Sequence, residues 1–228
     1  MTAILKVDTI QDTAGNNIIN ESSDTITIGA AGDTTNIVDE ANLKVSNSAV
    51  NGYMLTAQSG NTGGLTWAAA PAGITVADQW RLTADFQGAA SPIASNLERV
   101  DTSGQGTIGS AMTVSSGVFT FPQTGIYQVD FSAQFSLNGD NRYYIVYIES
   151  TRNNGTSFTE IAEQASFVAQ TSSGHTPNIA HTSTLFDCAD TGNHKVRFKV
   201  LPVNTSTYTE GNSVDNQTFF TFIRLGNT

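Results

Sequence analysis

Residues 117–135, GVFTFPQTGIYQVDFSAQF, decide the fold. Phe119, Phe121, Tyr127, Val129, Phe131, Ala133 and Phe135 fall on one parity, and Thr120, Gln128, Asp130, Ser132 and Gln134 on the other. A period of two marks half-buried strands with one dry face and one wet face. The stretch therefore predicts a strand, a tight turn at 122–124 and a longer antiparallel strand.

Outward from this segment the same rhythm continues. Strands are predicted at 79–84, 97–101, 111–114, 117–121, 125–137, 142–151, 157–169, 179–187, 195–203 and 217–225. Turn signals such as Asn138-Gly139-Asp140, Asn153-Asn154-Gly155 and Asp190-Thr191-Gly192-Asn193 separate them. Only 13% of the 228 residues are charged, and no helical stripe competes. The expected class is all-β: a ten-strand sandwich over 76–228, preceded by short β elements.

Residues 1–75 differ. Apart from Tyr53 and Trp67 they lack large aromatics, and they string short apolar pairs (Ile4-Leu5, Ile18-Ile19, Ile37-Val38) through Thr, Asn, Asp and Gly. Such a string cannot close a core alone, so it is expected to gain one from copies of itself. Residues 51–70 predict a hairpin, and 68–73 (AAAPAG) a hinge.

The net charge is −10 and Lys and Arg do not cluster, which argues against nucleic acid and anionic membrane as partners. No apolar run approaches the roughly 20 residues of a membrane helix, so membrane insertion is not expected. Cys188 is the lone cysteine, so it is expected to be buried and free. No charged-then-apolar leader follows Met1, and folding in a reducing cytoplasm is expected.

No catalytic chemistry is predicted. His175, His181 and His194 lack ligand spacing. Cys188 and His194 lack a third orienting group, and no nucleophile elbow, phosphate loop or dinucleotide fingerprint is present. No cofactor or metal is expected. Calcium at Asp140, Glu210 and Asp215, or at Asp187 and Asp190, is a minor alternative without a dedicated loop.

Residues 76–228 resemble the complement/tumour-necrosis-factor globular head. Gly125-Ile126-Tyr127 matches its Gly-x-Tyr strand opening, Ser183–Phe186 followed by 192–200 matches a strand pair with its turn, and QTFFTFIRL (217–225) matches the closing strand. That strand usually reads Phe-x-Gly-Phe, and here Thr221 takes the glycine's place. The resemblance implies a jelly roll assembled as a homotrimer. Tyr127, Phe131, Tyr143, Tyr147, Phe198, Phe219, Phe220 and Phe222 are read as more aromatic surface than one sandwich needs, with the surplus left for partner copies.

In such a head the chain begins and ends at one end, the base. The loops at 138–141, 170–178 and 203–216 then fall at the far end, with 86–95 or 102–110 possible additions. The candidate binding residues there are Asn138, Asp140, Asn141, Arg142, Ser172, His175, Asn204, Tyr208 and Glu210, whose amides, hydroxyls, ring and charges suit sugar hydroxyls. Residues 3–33 and 51–68 resemble the opening segment and pre-head module of marine bacteriophage fibres, especially those of cyanophages. The combined resemblance implies a virion fibre or spike. Residues 1–50 would anchor it to other virion proteins, 51–75 would form a hairpin and hinge, and 76–228 a head that binds a host-surface glycan or protein. The alternatives are a virion decoration or assembly protein without host contact, and a polysaccharide-degrading fibre enzyme.

Overall fold

In this computed structural model the described residues are 52–57, 60, 65–69, 73–102 and 104–228. The predicted anchor over 1–50, and residues 70–72 of the hinge over 68–73, lie outside them. The chain divides into two units, Met1–Ala70 and Pro71–Thr228. In the first, β1 (Tyr53–Ala57) and β2 (Leu65–Ala69) form an antiparallel hairpin in the register Tyr53↔Ala69.

The second unit is all strand and turn among the described residues. Its strands are β3 (Ala77–Leu82), β4 (Phe86–Gln87), β5 (Leu97–Arg99), β6 (Thr113–Ser115), β7 (Val118–Thr120) and β8 (Gly125–Leu137). They continue as β9 (Asn141–Thr151), β10 (Thr159–Val168), β11 (Thr176–Cys188), β12 (Lys195–Pro202), β13 (Tyr208–Thr209) and β14 (Phe219–Gly226). All ten predicted strands are present. The two additions, β4 and β13, are two residues long and lie in segments predicted as loops.

One sheet runs β10-β9-β12-β7-β6; the other runs β4-β13-β8-β14-β3-β5, with β11 on the remaining edge of β8. Strand β8 carries the second sheet. It pairs with β11 along its whole length, with β14 over 126–132 and with β13 at 135–136.

The predicted parity of β8 holds: Tyr127, Val129, Phe131, Ala133 and Phe135 are fully buried. Phe119 sits at the centre of an aromatic layer. Its ring lies 5.6 Å from Trp80, 5.4 Å from Phe198, 5.7 Å from Phe220 and 5.1 Å from Phe222. Phe131 stacks on Phe220 at 5.1 Å, and Phe135 on Tyr144 at 4.0 Å. Each such ring contributes about 1.5–3 kcal/mol by leaving water.

This packing corrects the expected aromatic surplus. Tyr127, Tyr147, Phe198, Phe220 and Phe222, with Phe131, are all buried within one chain. Of the eight aromatics, only Tyr143 is exposed and Phe219 half-buried.

The buried side chains of Asp78, Arg81 and Glu149 are each paired with an opposite charge. Asp78 accepts from Met112 N at 2.8 Å, Trp80 Nε1 at 3.0 Å and Arg99 Nε at 3.2 Å, tying β5 and residue 112 to β3. Arg81 donates through Nε to Glu98 at 2.7 Å and through Nη1 to the Val214 carbonyl at 3.0 Å.

Two stability outcomes follow. Phe119→Ala removes the hub of the layer and should cost about 3–5 kcal/mol in urea unfolding, whereas Leu225→Ala at an exposed position should cost less than about 0.5 kcal/mol. Burial pushes the Cys188 thiol up to about 11 from 9.0, and the Tyr127 phenol up to about 12 from 10.0. Both groups hold their protons more tightly when folded, so their contribution is complete below pH 9 and is lost as pH rises through about 11–12. The urea midpoint should fall between pH 9 and 12; a midpoint constant to pH 12 would contradict this.

Candidate functional site

Strand register defines the two ends of the sandwich. Ala77 at the start of β3 faces Ile223 near the end of β14, and Cys188 faces Gly125, so these mark the base. Thr176 faces Leu137, Val168 faces Asn141, and Tyr208 faces Ser136, so the connections 138–140, 169–175 and 203–207 lie at the far end. Segment 83–87 joins them through the pairing of β4 with β13. Segment 102–110 does not, because Ile108 bridges Ala77 at the base.

The far-end loops hold one another. Asn138 Oδ1 accepts from Gln170 Nε2 at 3.0 Å and Gly174 N at 3.3 Å, and Asp140 Oδ1 accepts from Gln170 N at 2.7 Å. Asn204 donates through Nδ2 to the Asp140 carbonyl at 3.1 Å and accepts from Ser206 N at 3.0 Å. Asn141 corrects the expected set: it is fully buried, and its Oδ1 accepts from Asn204 N at 3.0 Å. It fastens a loop and cannot face a ligand. Ser172 is exposed and gives its carbonyl to Gln170.

The remaining candidates line two clefts. One, of about 490 Å³, is bounded by Asp140, Arg142, Val203, Asn204 and Thr205. Arg142 is exposed and forms no ion pair among the described residues. The other, of about 240 Å³, gathers His175, Tyr208 and Glu210 with Asp85 and Ser136.

In this second cleft the His175 and Tyr208 rings lie 5.4 Å apart. His175 Nδ1 meets Ser136 Oγ at 3.1 Å, and Ser136 is itself buried on β8. Glu210 accepts from Gln134 Nε2 through Oε2, and its backbone N donates to the Gln134 carbonyl at 2.8 Å. Asp85 Oδ1 accepts from Gly211 N at 2.8 Å. Gly211 is pressed onto the 83–87 segment so closely that a Cβ there would lie 2.7 Å from Ala84 N and O.

Asp85 and Ser136 were not singled out from the sequence. Ser136 reads as one more wet-face residue of β8, and Asp85 lies far in sequence from the loop it meets. Among the described residues no group of three His, Cys, Asp or Glu side chains is placed to hold a metal ion.

No protein-family model matches the chain, and no curated protein matches it in sequence. Among solved structures the chain is similar to Eiger TNF from S. frugiperda. The match has 11% identity and a TM-score of 0.50, and covers 69% of this chain and 96% of that one. It is also similar to murine APRIL, at 12% identity and TM-score 0.46, over 66% of this chain and 98% of that one. Together with the strand order, the first likeness defines the fold as a tumour-necrosis-factor-like jelly roll.

Gly211→Ala should force residues 83–85 and 210–212 apart, costing about 1–3 kcal/mol. Hydrogen exchange should read this at the Asn212 amide, which donates to the Leu82 carbonyl at 2.8 Å. An unchanged Asn212 exchange rate would contradict the close packing.

Proposed function

We propose that this protein is a homotrimeric, non-enzymatic binding head of a bacteriophage virion fibre or spike. Residues 1–50 attach it to other virion proteins, and the far-end loops contact a glycan on the host surface. The observation that carries the reading is the two-ended head: the strands that open and close the sandwich meet at the base, and clefts lined by polar side chains lie at the opposite end. Loops on a rigid scaffold are where recognition varies. The phage assignment is supported by the sequence resemblance over 3–33 and 51–68.

Self-association is supported by apolar groups that one chain leaves in water. On β11, the edge strand beside β8, Ile179 is 55% exposed and Leu185 is 66% exposed. Next to this edge, Phe167 on β10 gives its carbonyl to Asn178 while 60% of the residue stays exposed. The outward face of the same sheet carries half-buried Phe219 and Ile223. An apolar edge packing onto the neighbour's sheet face is a heterologous contact, which closes into a ring when the rotation is threefold.

Light scattering should give three times the 24.1 kDa chain mass at micromolar concentration. Leu185→Asp, harmless in a monomer at so exposed a position, should shift the mass toward one chain. A monomeric wild type would sink the assembly. Absence of the protein from purified particles by mass spectrometry would sink the virion assignment.

A further inference from the structure

The two far-end clefts differ in chemistry. The smaller one has two carboxylates, Asp85 and Glu210, and none of its lining residues is Lys or Arg. Each carboxylate is fixed through one oxygen, Asp85 by Gly211 N and Glu210 by Gln134. The second oxygen of each has no hydrogen-bond partner among the described residues. The same holds for the Tyr208 hydroxyl and for Nε2 of His175, whose Nδ1 is committed to Ser136. The cleft thus presents strong acceptors, one hydroxyl, one ring nitrogen and the faces of two rings, on a floor locked by Gly211 against Ala84.

We propose that this cleft is the sugar subsite of the head and that it selects a neutral, hydroxyl-rich sugar over an acidic one. The proposal rests on the binding-head reading above. Hydroxyl groups of the sugar donate to Asp85 and Glu210, giving charge-assisted bonds that outrank neutral ones. The C–H face of the ring packs against Tyr208, whose aromatic body is apolar and whose hydroxyl is polar. A uronic or sialic acid would bring a third carboxylate beside these two without a cation to offset it, so specificity comes as much from repulsion as from fit. A metal ion is a poorer occupant, because no three ligating side chains converge here among the described residues. Three clefts per trimer add avidity to a weak single-site affinity.

The test titrates the full chain with dextran, mannan and galactan as neutral polymers and alginate as an acidic one, read by calorimetry. The variants are the isosteric double substitution D85N/E210Q and, in the other cleft, R142A. Circular dichroism and light scattering confirm that each variant keeps its fold and assembly. The expected result is binding of at least one neutral polymer, weakened at least about tenfold in D85N/E210Q and by a smaller factor in R142A, with alginate unbound. Unchanged binding in D85N/E210Q, or alginate bound as tightly as the neutral polymers, overturns the subsite. Loss in R142A alone moves the site to the neighbouring cleft and leaves far-end binding standing. No binding of any polymer overturns the subsite, and adsorption of labelled protein to host cells then decides whether the binding-head reading falls with it.

Discussion

The parity of β8 is the constraint on which the sandwich depends. Tyr127, Val129, Phe131, Ala133 and Phe135 point into the core, and Gln128, Asp130 and Gln134 point out. A slip of one residue would exchange the two sets, placing rings in water and carboxylate and amide groups among phenylalanines. Because β11, β14 and β13 all pair with β8, this one choice also fixes which residues of those strands are buried. Phe220 and Phe222 come inward opposite Phe131 and Val129, and Phe186 comes inward opposite Tyr127. The opposite sheet then closes the layer with Phe119 on β7 and Phe198 on β12. Thr221 lies between Phe220 and Phe222 on the outward face, where it accepts from Gln79 Nε2 at 2.8 Å.

Strand positions were legible because alternation and turn residues are local signals, and the long β8 was bounded correctly at both ends. Strands β4 and β13 were not legible, because two residues cannot display a period. They are strands only because a rim of β8 remains free beyond β14 for β13 to pair with. The aromatic count misled for a related reason. Composition reports how much ring surface exists but not whether one sandwich can stack it, and here Phe119, Phe131, Phe198, Phe220 and Phe222 form a single continuous layer. On β11 the apolar groups left exposed are aliphatic, Ile179 and Leu185.

The candidate site was legible as a location more than as a set of atoms. Counting strands up and down brings the correct connections to the far end, because antiparallel order leaves little freedom. It does not reveal which polar side chains are committed to the protein. Asn138, Asp140, Asn141 and Asn204 looked like sugar-binding amides and acids, yet their hydrogen bonds run mainly to backbone groups of neighbouring loops. Short polar side chains suit turns for the same reason that they suit sugars: they reach a nearby donor or acceptor at small entropic cost. Asp85 was invisible because its meaning comes from Gly211, 126 residues away.

The committed residues bear directly on what the free ones can do. A loop that must be ordered on binding spends part of its interaction energy on that ordering, at roughly 0.5–1.5 kcal/mol for each side chain immobilised. At this far end the loops are already tied to one another. Gln170 ties the 138–140 turn to the 170–174 loop, Asn204 ties that turn to the 203–207 loop, and Gly211 presses the 210–212 segment onto 83–85. The groups left over, Arg142 in one cleft and Asp85, Tyr208 and Glu210 in the other, are therefore presented from a braced rim. The side-chain amides bonded between the loops are what brace this rim.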